Sequence, residues 1–499
     1  MVGKKLFLNW KKFNSLIAWL GFILPIFLLS CSKEQEEYTA FLDVNLVPMT
    51  QEGIVENQTV LIKGSRIIKI GPTDQLPLPR NTKIIPGKGH YLMPGLADMH
   101  MHTRKDWEDP EIWPVHPLNL YLANGVTTVR DFAPYGSPIN YALEWQEEIR
   151  SGTRIGPTIY TSGKLLYASP LDNPEGMVQD NYELGFDFLK IYSYLSKEDF
   201  HSAMKAANQL DMYSAGHIPY TVGLEGVLAE GMDEIAHVEE LLFEFINFER
   251  DKTLDPEQWL KYIIESMLKQ VDLSSNTIMV DFEAENFNNM TRIAQQIHNT
   301  NTPVCTTMIV DDLIQQKLFQ PEAFLDQPEN IYFKKGYLES FRDGEEKHLN
   351  QCRGIEKLCK IKYDIDRWIL RNLHEAGVTL LLGTDSGTGG MGIIPGYSIH
   401  DELGILVENG FSPYEALKTG TVNAGIVVEK MTGEGDFGSI EEGKRADILL
   451  VRENPLEDVG NIRNPLGVMA AGRWYSNEIL AELIRVSLWR DGSKLSQTK

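Results

Sequence analysis

The sequence predicts an α/β protein that combines a (β/α)8 TIM barrel with a small β-sandwich domain. Eight short apolar runs alternate with amphipathic stretches between about residues 93 and 431, and this alternation is typical of repeated strand–helix units. β-Rich runs broken by Gly, Pro and Asn occupy about residues 39–85 and return near the C-terminus. Because neither segment contains a pattern of helical length, we expect the two to form the sandwich together.

Eight runs predict the barrel strands. They are the run that ends at His102 and residues 125–132, 158–166, 186–193, 212–218, 234–240, 302–310 and 378–387. Amphipathic helices are predicted between them, for example over 196–211, where Ser196 is expected to cap the helix, and over 364–377.

The domain boundaries follow from these patterns. Residues 39–93 and 433–499 are expected to supply the β-sandwich and a C-terminal tail, and residues 94–432 the barrel. Two spans are longer than a strand–helix unit requires, near 241–275 and 311–363. We interpret them as helical insertions over one face of the barrel, where lids and substrate walls usually arise.

Composition limits the partners of the chain. The 499 residues are 42% hydrophobic and 23% charged, which is ordinary for a large globular protein. The formal net charge is −23, and the acidic residues are scattered along the chain. Nucleic acid and anionic membrane surfaces are therefore disfavoured as partners, since the summed field would repel both.

The first thirty residues predict export. Four lysines precede the apolar stretch "SLIAWLGFILPIFLLS", which ends at Cys31, and this charge order is typical of a secretion signal. An uncleaved membrane anchor is the alternative, although the stretch is short for a span and contains Pro25. "LLSC" resembles the lipobox of bacterial lipoproteins, where a signal peptide over 1–30 is removed and Cys31 is lipidated.

The lipobox resemblance implies a location and a partner. A lipid on Cys31 would bind the protein to a membrane of the bacterial cell envelope, on its periplasmic face or at the cell surface. Residues 31–38 are polar and acidic, and we interpret them as a tether.

Three further cysteines are Cys305, Cys352 and Cys359. Their odd number argues against a complete disulfide framework. Cys352 and Cys359 either pair in an oxidising envelope or remain free. No C-x-x-C pair occurs, so a cysteine zinc site is not expected.

Metal-ligand side chains recur where predicted strands end. His100 and His102 end the first strand, and period-2 alternation points both imidazoles to the same side. The others are Lys190 in the fourth strand, His217 after the fifth, His237 at the end of the sixth and Asp385 at the end of the eighth. Since the C-terminal ends of barrel strands share one mouth, we expect all six to converge.

Each of these residues also has a structural interpretation. A histidine at a strand end can simply be packed, and Asp385 could cap the next helix. Lys190 is harder to explain this way, because a lysine inside an apolar strand is costly unless its charge is compensated. We interpret it as a carbamate formed with CO2, a carboxylate able to bridge two cations.

Together, "HMH" at 100–102, Lys190, His217, His237 and Asp385 resemble the amidohydrolase superfamily in its binuclear, carbamylated-lysine form. "MPGLADMHMH", "GTDSG" and "GSIEEGKRADILLV" resemble its first strand, its eighth strand and the closing strands of its β-sandwich. Other segments, including "NGVTTVRDF" and "GHIPYTVGLEGVLAEGMDEIAHVEEL", resemble the Xaa-Pro dipeptidase and imidazolonepropionase-related group.

The resemblance implies two divalent metal ions, with zinc favoured. His100, His102 and Asp385 would hold the more buried ion, His217 and His237 the more exposed one, and N6-carboxylated Lys190 would bridge them. A hydroxide between the ions would be the nucleophile. Asp385 would accept its proton and pass it to the leaving nitrogen.

The expected reaction is hydrolysis of amide or peptide bonds in small substrates, either dipeptides or N-acyl amino acids. Imidazolonepropionase is disfavoured, because it uses a single metal and lacks the carbamylated lysine. A lactone or phosphotriester hydrolase on the same site is the alternative, and a non-catalytic surface lipoprotein that binds a small ligand is a third. Tyr192 and Arg104 are candidate substrate contacts, Arg104 for a substrate carboxylate.

Overall fold

A computed structural model of the chain describes residues 37–485. The signal peptide predicted over 1–30, the lipidation site Cys31, nearly all of the tether and the last residues of the tail lie outside the described residues. Among residues 37–485, no helix combines the length and the hydropathy needed to cross a bilayer.

Seventeen strands are present in the described part of the chain. They are β1 Tyr38–Leu46, β2 Val55–Lys63, β3 Arg66–Pro72, β4 Lys83–Pro86, β5 Tyr91–Pro94, β6 Leu96–Met101, β7 Val126–Asp131, β8 Thr158–Thr161, β9 Leu166–Ala168, β10 Leu189–Tyr194, β11 Ser214–Gly216, β12 Glu234–Ala236, β13 Val304–Cys305, β14 Leu380–Leu381, β15 Ile448–Val451, β16 Gly467–Ala470 and β17 Arg473–Ser476.

Sixteen α-helices accompany them between residues 37 and 485. They are α1 Pro117–Ala123, α2 Tyr141–Ser151, α3 Pro174–Leu184, α4 Lys197–Leu210, α5 Gly223–Ala229, α6 Pro256–Gln270, α7 Ile278–Thr300, α8 Ile309–Phe319, α9 Pro321–Leu325, α10 Tyr337–Arg342, α11 Lys347–Cys352, α12 Glu356–Glu375, α13 Ser398–Glu408, α14 Pro413–Thr419, α15 Val422–Thr432 and α16 Asn477–Arg485.

Strands from both ends of the chain meet in one mixed sheet. Its order is β17-β16-β15-β5-β1-β2-β3, with β4 also paired to β1. The junction is antiparallel, with Met93 of β5 opposite Leu449 of β15. Phe41, Leu92 and Ile448 are among the buried side chains that form its core. Strands from the two ends of the chain therefore belong to one sheet, as expected, and the sandwich form stays a prediction.

Each of the eight runs predicted as barrel strands contains a strand, and all are paired in parallel. They form two sheets, β6-β7-β8 and β14-β13-β12-β11-β10-β9, the short β9 being an additional strand. Single bridges lie between the sheets, Ser162 with Phe188 and Met101 with Ser386. The expected closed eight-stranded barrel is thus not closed by continuous pairing. One gap lies beside β14, which has only two residues to offer to a ladder, and the other lies between β8 and the six-stranded sheet.

The helices follow the predicted pattern. Helix α4 begins after Ser196, whose side chain accepts a hydrogen bond from the Asp199 N–H at 3.2 Å, as expected of a capping serine. The span 364–377 lies almost wholly within α12. The two predicted insertions are helical, with α6 in the first and α8 to α11 in the second.

Candidate metal centre

His100, His102 and Asp385 come together where β6 ends beside the segment that follows β14. His102 Nε2 lies 3.0 Å and His100 Nε2 3.5 Å from Asp385 Oδ1, although 283 residues separate His102 from Asp385. One donor atom from each of the three lies within 4.8 Å of the others. The structure therefore assembles a compact nitrogen and oxygen donor set.

The ring of His102 has a defined orientation. Its Nδ1 lies 3.1 Å from the carbonyl oxygen of Ala133. A carbonyl only accepts, so Nδ1 of a neutral ring must donate there, and the lone pair of Nε2 then faces the Asp385 carboxylate. His102 Nε2 and the Asp385 carboxylate are then both acceptors, and a cation between them could bind to both.

His217 and His237 lie beside His100. The ring centroids of His100 and His237 are 4.4 Å apart, and those of His217 and His237 are 4.7 Å apart. His217 Nδ1 lies 2.6 Å from Glu240 Oε1, and His237 Nδ1 lies 2.8 Å from Thr307 Oγ1. Because these partners occupy Nδ1, Nε2 is the nitrogen left for a cation.

Lys190 enters the same space from β10. Its side chain is buried, and its Nζ has no hydrogen-bond partner among the described residues. The nearest ring is Phe132, with its centroid 4.6 Å from Nζ. Burial lowers the pKa of Lys190 to about 8. A buried, unpaired lysine amine that is partly neutral near pH 8 is able to react with CO2.

Burial and nearby groups favour the protonation states in which these side chains bind metal ions. Burial lowers the pKa of His100 and His217 well below the ordinary value, and that of His237 to about 3, so all three rings are neutral near pH 7. Burial opposes ionisation of Asp385, but the close contact with His102 and the nearby Lys190 hold its pKa below its usual value. Neutral imidazole and ionised carboxylate are the forms that bind metal ions.

Backbone conformations around the site are unusual. His237 has φ of 82°, Asp385 of 57°, Thr307 of 49° and Ala133 of 147°. Positive φ is uncommon for residues other than glycine and costs free energy. Two donor residues and the partners of two donor rings share this feature, so the surrounding fold imposes the geometry of the site.

Asp98 fastens β6 to the segment after β14. Its Oδ2 accepts a hydrogen bond from Thr384 Oγ1 at 2.6 Å, and its Oδ1 accepts from the N–H groups of Thr384 and His100 at 3.1 and 3.2 Å. Complete burial raises the pKa of Asp98 to about 7. This carboxyl therefore holds the strand of His100 next to the segment of Asp385.

All six predicted ligands line one cavity of about 400 Å³. The wall also includes Tyr135, Tyr192, Lys164, Lys347 and Glu239. Lys347 begins α11, in the second predicted insertion. That insertion therefore contributes to the cavity wall.

The two predicted substrate contacts lie in different surroundings. Tyr192 lines the cavity, with its ring centroid 4.2 Å from that of His217. Arg104 is not among the lining residues; its guanidinium donates two hydrogen bonds to Asp106, at 2.9 and 3.0 Å. Asp106 thus binds, through two hydrogen bonds, the Arg104 guanidinium that was expected to contact a substrate.

A second cluster of carboxylates lies next to the site. Glu239, Asp311 and Asp366 each have an oxygen 2.7 to 2.8 Å from Lys362 Nζ. The lysine ammonium already occupies the centre of this group. The three carboxylates therefore bind the ammonium group of Lys362.

The donor set by the cavity fits a divalent cation. Neither ring nitrogen of His100 nor Nζ of Lys190 has a hydrogen-bond partner within residues 37–485, although all three atoms are buried. Buried polar atoms without partners are rare unless a ligand or water satisfies them. Imidazole and carboxylate donors in one pocket are suited to Zn²⁺ and similar ions.

Residues 345–475, which include Asp385, match the amidohydrolase family. Over 477 residues the chain is 25% identical to ochratoxinase from Aspergillus niger, covering 88% of this chain and 86% of that protein. Within residues 345–475 the chain therefore resembles the amidohydrolase family.

Solved structures share the fold of this chain. A protein of Bifidobacterium longum assigned as a prolidase superposes with a TM-score of 0.60 at 21% identity, over 90% of this chain and 99% of that one. A Xaa-Pro dipeptidase with bound methionine superposes with a TM-score of 0.59 at 19% identity, over 88% of this chain and 100% of that one. The α/β amidohydrolase fold extends over nearly the whole chain.

Sequence reasoning missed several residues of this candidate site. Glu240 and Thr307 hold two of the imidazole rings, and Lys347 and Glu239 line the cavity. Glu239 and Glu240 are the last two residues of the predicted strand 234–240, which contains His237. Two acidic residues beside a candidate histidine ligand were a usable signal. No sequence signal pointed to Lys347, because no predicted ligand adjoins its helix in the sequence.

Proposed function

We propose that this protein is a metal-dependent hydrolase that cleaves an amide or peptide bond in a small substrate of the dipeptide or N-acyl amino acid type. One observation carries the proposal: His100, His102, Lys190, His217, His237 and Asp385 converge on a single cavity. The similarity to ochratoxinase and the fold shared with a Xaa-Pro dipeptidase support the same class of reaction.

Two divalent cations would be held by these side chains. His100, His102 and Asp385 would form one site, His217 and His237 the other, and Lys190 would join both after carboxylation of its amine. When bound, such ions lower the pKa of water and polarise a carbonyl group. The Glu240 and Thr307 contacts would keep the Nε2 atoms of His217 and His237 directed at the cavity.

Asp385 would move the proton. Its low pKa keeps it ionised, so it is able to accept a proton from the attacking water. It would then donate this proton to the leaving nitrogen, which is a poor leaving group as an anion.

The rim of the cavity supports a substrate with a free carboxylate. Lys164 and Lys347 line it, and neither has an ion-pair partner within residues 37–485. Glu239, the acidic residue nearby, is neutralised by Lys362. In a chain of net charge −23, two unpaired ammonium groups at this rim favour the carboxylate end of a dipeptide or N-acyl amino acid.

We also propose a closed barrel, a β-sandwich and a location in the bacterial cell envelope. The two parallel sheets would act as one (β/α)8 barrel, an interpretation supported by the bridges at Met101–Ser386 and Ser162–Phe188. The sandwich form of the terminal sheet, the lipid on Cys31 and the bacterial cell envelope as location are proposals from the sequence. Labelling with a radioactive fatty acid in the native cell, compared with Cys31→Ser, tests the anchor.

A substrate screen tests the reaction. Protein prepared with zinc and bicarbonate is assayed against dipeptides, N-acyl amino acids, lactones and phosphotriesters. We expect hydrolysis of amide bonds, whereas turnover confined to lactones or phosphotriesters would contradict the proposal. Binding of small ligands with no turnover of any class would assign the protein as a binding lipoprotein.

Metal content tests the site separately. We expect about two divalent ions per chain in this preparation, and fewer in Lys190→Met, because methionine keeps the buried volume but cannot be carboxylated. Less than about one ion per chain in the wild type would overturn the binuclear site.

A further inference from the structure

Two cysteine thiols lie in contact within the second insertion. Cys352 is the last residue of α11, and Cys359 lies in the first turns of α12. Both are free, and their sulfur atoms are 2.8 Å apart. Cys305 is buried elsewhere in the core, so Cys352 and Cys359 are the one pair of cysteines in contact among the described residues.

We propose that Cys352 and Cys359 form a redox-modification site, in which a small disulfide oxidant converts the two thiols into one intramolecular disulfide. Gly354, at φ of 81°, lies in the turn that brings the two helices together. The sulfurs are already close enough that neither helix has to move far for the bond to form. This inference does not depend on the proposed hydrolase activity.

The two thiols differ in accessibility. Cys352 is buried, with 5% of its surface exposed, whereas Cys359 is partly exposed. The contact with Cys352 and the charge of Lys362 lower the pKa of the Cys359 thiol. Cys359 is therefore the sulfur that a dissolved oxidant reaches first, and Cys352 is the one placed to react second.

The chemistry balances with a small disulfide such as oxidised glutathione. The Cys359 thiolate attacks one sulfur of the oxidant, forming a mixed disulfide and releasing one glutathione thiolate. After losing its proton to solvent, Cys352 attacks the Cys359 sulfur and releases the second glutathione. The protein loses two electrons and two protons, and the oxidant is reduced to two thiols.

The bond would fix the insertion near the cavity. Helix α11 begins at Lys347, which lines the cavity, and ends at Cys352. The residue before it, Glu346, is also tied to the buried Lys317. Oxidation would therefore secure the far end of a helix whose first turn contributes to the cavity wall.

Peptide mapping tests the proposal on the full chain. Cleavage after Lys347, Arg353, Lys357 and Lys360 places Cys352 in peptide 348–353 and Cys359 in peptide 358–360. After treatment with oxidised glutathione we expect one linked pair of these peptides, with a mass lower than their sum by two hydrogen atoms. Buried Cys305 serves as the internal control and stays unreacted until the protein is unfolded.

Single variants test the order of reaction. In Cys352→Ser, we expect glutathione to remain attached to Cys359, because the second thiol is missing. In Cys359→Ser, we expect Cys352 to react far more slowly, because it is buried. Wild-type protein that keeps both thiols, or that carries stable glutathione on either peptide without a cross-link, would overturn the proposal.

Discussion

At the residue scale, the site depends on side chains whose charge and backbone are both constrained. Asp385 combines a lowered pKa, a contact with His102 and a left-handed backbone. Asparagine tolerates the same backbone conformation better than most residues. This makes Asp385→Asn a change of charge with little change of fold.

We expect Asp385→Asn to lower kcat by about 10²- to 10⁴-fold, because an amide cannot accept and return the proton. Steady-state kinetics, metal content and circular dichroism measure the effect. Asp401→Asn is the control, since Asp401 pairs with Arg463 outside the cavity. Near-normal turnover of Asp385→Asn with metal bound would contradict the proton-transfer role.

Lys347→Met tests the carboxylate end of the substrate. We expect KM to rise about 10-fold for a substrate with a free carboxylate, because one charged contact at a solvent-exposed rim is lost. The same substrate with an amidated end should be unaffected. Lys360→Met, which removes an exposed lysine paired with Asp364 on α12, is the control. An equal change in KM for both substrates would rule out a carboxylate contact.

At the element scale, a buried ammonium ties the second insertion to the loop after β14. Lys317 of α8 donates to Glu346 at 2.8 Å, to His348 Nδ1 at 2.7 Å and to the Met391 carbonyl at 2.9 Å. Tyr337 also donates to Glu346 at 3.2 Å. Met391 lines the cavity, so this network connects the insertion to the wall of the site.

We expect Lys317→Met to lower the free energy of unfolding by about 3–5 kcal/mol, because it leaves the buried Glu346 charge without its partner. Urea unfolding measures the change, and exposed Lys360→Met should change it by less than about 0.5 kcal/mol. Adding Glu346→Gln to Lys317→Met should recover part of the loss. A double variant no more stable than the single one would contradict a charge-based cause.

The elements also show how far sequence reasoning reaches. Period-2 alternation placed His100 and His102 on one face, and every predicted barrel strand is a strand. The open pairing could not be predicted from the sequence, because β14 has only two residues and its pairing with β6 depends on how the neighbouring layers pack. The contact between Arg104 and Asp106 was equally invisible, since it depends on the local turn.

At the scale of the whole molecule, buried neutral histidines outside the site couple stability to pH. Burial lowers the pKa of His116 to about 4 and that of His400 to about 3. In the unfolded chain both titrate near pH 6.5. Between about pH 6.5 and 4 the unfolded state therefore binds protons that the folded state excludes.

We expect the free energy of unfolding of metal-free protein to fall as the pH drops from about 6.5 to 4, by up to about 1.4 kcal/mol per pH unit for each such histidine. His400→Phe should show a shallower slope, because one of these groups is removed. His201→Gln, at an exposed position, is the control. Parallel curves for the wild type and His400→Phe would contradict the assignment.

The sequence by itself predicted the candidate ligand residues, their order and the strand ends that carry them, because alternation and apolar runs are local properties of the chain. The tertiary structure alone decided that Glu240 and Thr307 hold the histidine rings, that Lys347 reaches the cavity and that Cys352 meets Cys359. These contacts join segments through loops and insertions, whose paths depend on long-range packing that local periodicity does not encode.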